Sequence, residues 1–255
     1  GLQYCEIDSA NVRVTKAGPC PTGALTIPSL VTDTNTTTEY SVRTIEANAF
    51  ESCTGLTSVV IGDSLTSIGD AAFRDCSSLT SLTLPNSLTS IGFAVFRNCS
   101  ELTSVTLPNS LTTIGNSAFR DCSNLTSLTL PNFLTSIGDA AFEYCSALTS
   151  VTFGDSLTSI GPVAFYNCSA LTSLTLPNSV TSIGSSTFAY CSSLTSIDLP
   201  NSLTTIGDYV LNQCVALTEV TVAWQMPLVI DPLVFSGLTL SGITLKVPEG
   251  KVATY

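Results

Sequence analysis

The stretch LTSLTLPNSLTSIGFAVFRNCSE, from Leu79 to Glu101, decides the fold, because nearly the same 23 residues recur in tandem along most of the chain. Every copy holds a cysteine at one position and a large apolar residue three positions earlier. The cysteines are Cys53, Cys76, Cys99, Cys122, Cys145, Cys168, Cys191 and Cys214. The apolar residues before them are Phe50, Phe73, Phe96, Phe119, Phe142, Phe165, Phe188 and Leu211. A period held without a slip over seven intervals indicates repeated units stacked as a solenoid.

One copy of the repeat contains the signals of two strands and a corner. Leu82 and Leu84 alternate with polar residues, as on a strand with one buried face. A Pro-Asn pair then ends the strand, because proline cannot donate to a ladder and asparagine favours turns. A second apolar pair, Leu88 and Ile91, is predicted to bring the chain back across the core, and Gly92 supplies the backbone freedom for a corner.

The last part of each copy is predicted to be a short helical turn. Phe96 and Cys99 are three residues apart, a spacing that places both side chains on the inner face of a helix. We therefore predict an α/β repeat protein, a right-handed solenoid of about nine turns. A parallel main sheet would line its concave side, and short helical turns the opposite side. The predicted core consists of the equivalents of Phe73, Cys76, Leu82, Leu84, Leu88 and Ile91.

The repeats predict a single solenoid domain whose ends depart from the pattern, since both ends of a solenoid must cover an exposed core. A polar insertion from Thr32 to Tyr40 interrupts the first repeat, and Trp224 and a closing strand from Gly242 to Pro248 are expected at the far end. The predicted parts are an N-terminal cap segment (1–23), a first, insertion-bearing repeat (24–55), seven regular 23-residue repeats (56–216), and a degenerate repeat with the C-terminal cap (217–255).

Composition and charge argue against several classes of function. Of the 255 residues, 44% are hydrophobic and 11% charged, so there is ample material for a continuous core. The 19 acidic and 8 basic residues give a net charge of −11, which argues against nucleic acid and anionic lipid as partners. No apolar run approaches the roughly 20 residues of a membrane helix. The chain begins at Gly1 without a cationic apolar leader, so we interpret it as a mature or trimmed chain.

The residues that carry the period also carry a resemblance to a known family. The frame LTSLTLPNSLTSIG-x-x-AF-x-x-CS resembles the BspA-type leucine-rich repeat, named for a bacterial surface protein, from about Leu25 to Leu217. Leu25 to Pro28 with Ser41 to Ile45 is similar to the entry segment of such domains, and Leu245 to Gly250 to their exit segment. The resemblance implies a curved solenoid on a secreted or surface-attached protein that binds a partner. It leaves the ligand open, because members bind diverse partners.

The regularly spaced cysteines allow two interpretations. In adjacent turns they would lie about 4.8 Å apart and point the same way, which disfavours disulfides between them. Buried thiols acting as small hydrophobes are the plain interpretation, and a metal or redox role is the alternative. The chain has no His and no C-x-x-C pair, and we predict no metal and no cofactor. Cys5 and Cys20 precede the repeats and are predicted to form a disulfide that pins the cap, which implies an oxidising compartment.

The outward side of the main strand carries rows of small hydroxyl groups. One row is serine, the next is threonine two residues along, and another threonine row precedes them, so strand spacings of about 4.8 Å would produce a regular grid. Ser and Thr are ordinary solvent-facing strand residues, but an almost uncharged, repetitive surface would also suit a repetitive ligand. The candidate ligand-binding residues, which we call the Ser/Thr grid, are Ser81, Thr83, Ser104, Thr106, Ser127, Thr129, Ser150, Thr152, Ser173 and Thr175.

Three further features have a plain and a functional interpretation. A row of arginines is either an exposed charge stripe or a binding patch, and it consists of Arg74, Arg97 and Arg120. A group of tyrosines on the helical side is either a set of scattered exposed aromatics or a partner patch, and it consists of Tyr144, Tyr166 and Tyr190. Asp198 and Glu219 occupy adjacent repeats, but nothing in the sequence marks them as a paired-carboxylate catalytic site.

These observations favour a binding protein over an enzyme. Without His there is no Ser-His or Cys-His arrangement, and no Gly-rich phosphate loop follows a strand. We predict a non-catalytic binding or adhesion module of a secreted or cell-surface protein, which recognises a protein or a glycan. The alternative is binding of ice or a crystalline polysaccharide, since aligned Thr rows resemble the ice-binding faces of unrelated β-solenoid antifreeze proteins. Neither nucleic acid nor membrane insertion is predicted.

Overall fold

The computed structural model describes residues 2–16, 18–222, 224 and 230–248. In this part the chain winds through stacked turns, and equivalent strands of successive turns pair in parallel. The predicted parallel-strand solenoid is therefore confirmed. The handedness of the solenoid, the concave position of the main sheet and the four parts of the domain stay predictions.

Each regular turn has three sides, which we call the main-strand side, the second-strand side and the turn side. In the turn that begins at Leu79, these sides hold Ser81–Thr83, Ser90–Ile91 and the segment from Gly92 to Cys99. The cap and the first repeat hold β1 (Leu2–Asp8), β2 (Asn11–Lys16), β3 (Gly23–Ile27), β4 (Leu30–Thr32) and β5 (Glu39–Ile45). The later main-strand side holds β6 (Leu56–Ile61), β8 (Ser81–Thr83), β11 (Ser127–Thr129), β13 (Ser150–Thr152), β15 (Ser173–Thr175), β17 (Ser196–Leu199), β19 (Glu219–Val222) and β20 (Thr244–Lys246). The second-strand side holds β7 (Ser67–Ile68), β9 (Ser90–Ile91), β10 (Thr113–Ile114), β12 (Ser136–Ile137), β14 (Ser159–Ile160), β16 (Ser182–Ile183) and β18 (Thr205–Ile206).

The second-strand side is more continuously paired than the main-strand side. Strands β9, β10, β12, β14, β16 and β18 form one six-stranded parallel sheet. The main-strand side is divided into three sheets, which are β3-β6-β8, β11-β13 and β15-β17-β19-β20. Between β8 and β11, the pairing found among the described residues is an isolated bridge between Thr83 and Thr106. The predicted main sheet is therefore interrupted, although Leu82 and Leu128 on either side of the gap are buried as predicted.

The turn side is a succession of tight turns, and the predicted short helical turns are wrong. In an α-helix every N–H donates to the carbonyl four residues back. Here the N–H of Ala72 donates to the Gly69 carbonyl three residues back (3.2 Å), whereas the N–H of Phe73 donates to the Val95 carbonyl of the next turn (2.9 Å). Alternate donors therefore join one turn to the next. The described residues contain two 3-10 helices near the C-terminus, Pro232–Phe235 and Leu240–Gly242. No helix in the described part is long and apolar enough to cross a membrane.

Two residues on each turn side have a left-handed backbone, which an α-helix does not allow. They lie five residues and one residue before the cysteine, with φ between 51° and 61°. This conformation costs roughly 1–2 kcal/mol for residues with a Cβ, and Asn and Asp tolerate it best. Asp75 and Asn98 therefore fit their positions. The β-branched Val163 and the aromatic Tyr144, Tyr190 and Tyr209 do not. Backbone strain on the turn side is greatest at these last four residues.

Replacing Val163 with asparagine is expected to stabilise the fold. Asn48 occupies the equivalent position of the first repeat with a φ of 57°, and asparagine adopts the left-handed region more readily than a β-branched residue. Val163 is half-buried, so only part of its apolar contact is lost. We expect a gain of about 1 kcal/mol, seen as a higher urea midpoint by circular dichroism. Val215→Asn is the control, because Val215 is 66% exposed and lies outside the left-handed region. If Val215→Asn raises the urea midpoint as much as Val163→Asn does, the stabilisation does not come from relief of backbone strain at Val163.

The core consists of stacked rows with one residue per turn. Seven buried phenylalanine rings, from Phe50 to Phe188, have neighbouring centroids 5.1–5.7 Å apart. Beside them, seven buried thiols from Cys76 to Cys214 each donate to the Phe carbonyl 26 residues earlier, with S···O distances of 3.2–3.4 Å. Burial raises the pKa of these thiols, to about 12 for Cys76 and Cys214. Most of the predicted core residues of the repeat are buried, and the half-buried exceptions are Val105, Val151, Phe153 and Ile206.

A disulfide joins the cap to the first repeat, but its partners differ from the prediction. Cys20 pairs with Cys53, with Cα atoms 5.1 Å apart, and Cys5 is a free thiol. The predicted Cys5–Cys20 pairing is wrong because Cys5 lies within β1, opposite Arg13 of β2, whereas Cys20 follows the end of β2 and meets the first repeat. The row of buried thiols therefore begins at Cys76.

Both ends of the solenoid depart from the repeat. The predicted irregular insertion holds the end of β4 and the start of β5, which pair antiparallel. At the other end, Trp224 is 4% exposed and its Nε1 donates to the Pro200 carbonyl (2.9 Å). Strand β20 pairs with β19 and lies within the predicted closing strand. Glu249 and Gly250 of the predicted exit segment lie outside the described residues.

Candidate binding surface

The ten residues of the Ser/Thr grid lie on the main-strand side, and all ten are exposed. Where neighbouring strands pair, the rows are in register, so that Ser127 lies beside Ser150 and Thr129 beside Thr152. Leu128, between the two grid residues of β11, is 2% exposed. Strand alternation therefore directs serine and threonine outward and the apolar residue into the core.

Threonines outside the grid, just before the main and second strands, donate their hydroxyls to backbone carbonyls of the protein, unlike most threonines of the grid. Thr80, just before β8, donates its hydroxyl to the Thr57 carbonyl of the preceding turn (3.0 Å). The same bond is formed by its equivalents Thr126, Thr149, Thr172, Thr195 and Thr218. Among the threonines just before the second strands, the same bond is formed by Thr112, Thr135, Thr158, Thr181 and Thr204. Among the described residues, Thr175 is the one grid residue with a side-chain hydrogen bond, to Asp198 (3.0 Å). The other nine grid hydroxyls make no hydrogen bond within the described part of the chain.

A cavity of about 250 Å³ lies in the grid where the main sheet is interrupted. Its lining residues are Val105, Thr106, Leu107, Asn109, Thr129 and Pro131. Val105 is half-buried, whereas the leucines at the same position of the adjacent turns, Leu82 and Leu128, are buried. No signal in the sequence distinguishes this cavity, because Val59 and Val151 occupy the same position of the repeat on strands that pair with a neighbour. The sequence-based prediction did not include the cavity. The grid is a surface with a recess rather than a uniform lattice.

Three tyrosines form a contiguous cluster on the turn side, as their positions in the repeat predicted. The ring centroids of Tyr144 and Tyr166 lie 5.7 Å apart, and those of Tyr166 and Tyr190 lie 5.1 Å apart. The Arg120 guanidinium lies 5.9 Å from the Tyr144 centroid, in cation–π contact. Tyr144 and Tyr190 are 36% and 44% exposed. The cluster is a second exposed surface, on a different side of the turns from the grid.

The arginine stripe on the turn side is paired with neighbouring acids. Arg74 forms an ion pair with Glu51, and the Nη1 of Arg120 lies 3.1 Å from a carboxylate oxygen of Glu143. Burial raises the pKa of Glu143, and the charge of Arg120 opposes that shift. Arg97 has a longer contact, 3.9 Å, with Asp121. These pairs favour a neutralised charge stripe over an anion-binding patch.

Asp198 and Glu219 are each engaged with a neighbour rather than with one another. Asp198 accepts a hydrogen bond from the Thr175 hydroxyl, and a carboxylate oxygen of Glu219 lies 2.7 Å from the Nζ of Lys246. The pairing of β17 with β19 places the two acids diagonally across the strands. This arrangement gives no support to a paired-carboxylate site.

Comparisons with known proteins agree with the repeat architecture. The family model described as a BspA type leucine rich repeat region matches six copies, over residues 32–146 and 112–241. Comparison with curated protein sequences gave no significant match. Among solved structures, a T. pallidum leucine-rich repeat protein is 29% identical, with 76% of this chain and 87% of that chain covered and a TM-score of 0.67. A leucine-rich cell surface protein from Faecalibacterium prausnitzii A2-165 is 24% identical, with 98% and 94% covered and a TM-score of 0.59. Since the family model spans most of its length, the chain belongs to the BspA-type leucine-rich repeat family.

Proposed function

We propose that the protein is a non-catalytic binding or adhesion module that recognises a protein or a surface glycan through the Ser/Thr grid. The free hydroxyls carry this proposal: in the described part of the chain, nine of the ten grid residues make no side-chain hydrogen bond. Each hydroxyl can both donate and accept, so the rows can bond to the hydroxyls of a glycan or to the backbone of an extended segment. The recess beside Thr106 and Thr129 adds an apolar contact surface.

We also propose that the module belongs to a secreted or cell-surface protein. Membership of the family supports this location, and one structural neighbour is described as a cell surface protein. The Cys20–Cys53 disulfide supports an oxidising compartment, where such bonds persist. The net charge of −11 supports partners other than nucleic acid.

Lysine substitutions at the centre of the grid test this proposal. Thr129→Lys combined with Thr152→Lys places two long cations on adjacent strands, and because both threonines are exposed the core is left intact. We expect the unmodified protein to bind at least one class of ligand on an array of surface glycans and surface proteins. The double variant should lose about tenfold or more in affinity for that ligand, which corresponds to about 1.4 kcal/mol.

A matched control changes the same residue type in the same two turns. Thr135→Lys combined with Thr158→Lys alters exposed threonines next to the second-strand side, and binding should stay within about twofold of the unmodified protein, or 0.4 kcal/mol. Equal losses in both double variants, with unchanged circular dichroism, would contradict binding through the grid. Absence of any array binding by the unmodified protein would contradict the proposal of a binding module.

Ice or a crystalline polysaccharide is the alternative ligand for the same grid. The in-register rows of β11 and β13 favour a match to a lattice, whereas the interruption between β8 and β11 disfavours it. Ice crystals grown with the unmodified protein test the first ligand, and co-sedimentation with crystalline cellulose or chitin tests the second. Faceted ice crystals that revert to discs with the Thr129→Lys and Thr152→Lys variant would favour this alternative. Undistorted discs would exclude ice.

A further inference from the structure

A cavity of about 270 Å³ opens on the N-terminal cap, away from the grid and the tyrosine cluster. It lies on the sheet whose strand order is β1-β2-β5-β4, and all four strands contribute to its wall. The residues that matter for its chemistry are Tyr4, Glu6, Val12, Thr32, Asp33 and Tyr40. The cavity is therefore built by a sheet and is not a gap beside a single loop.

The strand register places Glu6 on the apolar side of the cap sheet. Glu6 lies opposite Val12, and Tyr4 lies opposite Val14, in the pairing of β1 with β2. Both valines are buried, with exposures of 5% and 0%. A carboxylate on this side of a strand is disfavoured by packing unless it stays accessible or finds a partner. Glu6 stays exposed because the cavity opens there, and such a departure from the local pattern points to a binding role.

The polar side chains around the cavity are free to bind. Within the described part of the chain, no side-chain hydrogen bond or ion pair involves Tyr4, Glu6, Thr32 or Tyr40. Burial raises the pKa of Tyr4, so its hydroxyl stays protonated and can donate. The cavity is therefore lined by two tyrosine side chains, the Glu6 carboxylate and the Thr32 hydroxyl, and none of these groups has a hydrogen-bond partner within the described part of the chain.

Asp33 adds a second carboxylate at the rim. It accepts hydrogen bonds from the backbone N–H of Asn35 (2.8 Å) and from the hydroxyl of Thr36 (2.9 Å). These bonds lower the pKa of Asp33 and keep its side chain ionised. None of the residues that line the cavity is basic, so the two carboxylates are not neutralised from within it.

We propose that this cavity binds an organic cation, namely an ammonium or a guanidinium group. Tyrosine faces attract cations through the ring quadrupole, and the two carboxylates complement the charge. A volume of about 270 Å³ is at the lower limit of pockets that hold drug-sized molecules, so it suits a single side-chain-sized group. The group can belong to a free small molecule or to an arginine or lysine of a partner polypeptide. This site is independent of the proposed function of the grid.

Titration of the whole chain with three matched probes tests the proposal. The three probes are acetylated at the α-nitrogen, because a free α-amino group would itself be an ammonium. Argininamide and lysinamide then carry the two cations in their side chains alone, and citrullinamide is a neutral molecule of nearly the same shape as argininamide. We expect saturable amide chemical-shift changes at the cap with the two cations, and at least tenfold weaker binding of citrullinamide. A glycine pentapeptide with a central arginine, acetylated and amidated at its ends, distinguishes the sources. Tighter binding than argininamide indicates a polypeptide ligand, and equal or weaker binding indicates a small molecule. Equal binding of citrullinamide, or no saturable change with any probe, would overturn the proposal.

Variants in the cavity connect the binding to these residues. Glu6→Gln keeps the shape of the side chain and removes its charge, and it should weaken argininamide binding at least tenfold. Glu39→Gln is the control, because Glu39 is exposed on β5 beside the cavity without lining it, and its affinity should be unchanged. Tyr40→Leu keeps apolar bulk and removes the aromatic face, so it gives a second measure if Glu6→Gln folds poorly. Unchanged affinity in the folded cavity variants, or an equal loss in Glu39→Gln, would refute the site.

Discussion

Phe119→Ala is expected to destabilise the protein by about 3–5 kcal/mol, because it opens a cavity in the middle of the phenylalanine row. Phe119 is fully buried, and its ring lies between those of Phe96 and Phe142 with centroid separations of 5.3 and 5.4 Å. The substitution removes both ring contacts. The backbone turns on either side are held at a fixed spacing by hydrogen bonds, so the space cannot close easily. Urea unfolding followed by circular dichroism measures the change.

The control for Phe119→Ala is the same substitution at an exposed phenylalanine. Phe133 lies in the next turn with 65% of its surface exposed, and Phe133→Ala should change stability by no more than about 0.5 kcal/mol. A loss of less than about 1 kcal/mol for Phe119→Ala would mean that the row of rings contributes little to the core. It would also mean that stability resides mainly in the leucine and isoleucine rows.

Gly115→Ala is expected to destabilise the protein by about 1–3 kcal/mol or more, although it adds only one methyl group. A Cβ at Gly115 would lie 2.8 Å from the carbonyl carbon of Gly92 and 2.9 Å from the carbonyl oxygen of Ile91. Both atoms belong to the backbone of the preceding turn, and the N–H of Gly115 donates to the same Ile91 carbonyl (2.7 Å). The methyl group can be accommodated only if two turns separate. Thermal unfolding would show the loss.

Gly242→Ala provides the comparison for this effect. A Cβ at Gly242 would have no heavy atom within 4 Å, and the residue lies in a 3-10 helix rather than between two turns. The unfolding temperature of the Gly242→Ala variant should therefore stay close to that of the unmodified protein. If both alanine variants unfold at the same temperature, the close approach of turns at Gly115 does not limit stability.

The sequence was sufficient for the strands and the core but not for the turn side. The alternation around Leu82 predicted a buried strand face correctly, because side chains of a strand point to opposite faces. The spacing of three between Phe96 and Cys99 did not distinguish a helix from successive tight turns, since both bring such a pair to one side. The signal that distinguishes tight turns from a helix is an Asn or Asp at a left-handed position, as at Asn98. This signal is lost in repeats where another residue, such as Tyr144, occupies that position.

Features that depend on contacts between distant segments could not be predicted. Cys53 occupies the same position of the repeat as the other repeat cysteines, and only the folded cap brings Cys20 to it. Thr80 and Thr83 are the same residue type on one strand segment, yet a backbone carbonyl of the previous turn lies within reach of the first hydroxyl alone. The cap cavity likewise requires the register of four strands. Each of these features is set by three-dimensional placement and not by local pattern.

The alternating donors of the turn side also bear on how such a chain can change length. In the last regular turn, the N–H groups of Leu211 and Gln213 donate to the carbonyls of Val234 (2.9 Å) and Ser236 (3.3 Å) in the C-terminal cap. The cap therefore accepts the same donors that a further turn would accept. Duplication or loss of 23 codons within the repeats would keep the hydrogen-bonding pattern between successive turns. It would change the length of the solenoid by about 4.8 Å. Unequal recombination can thus alter the number of turns while both ends keep the same partners.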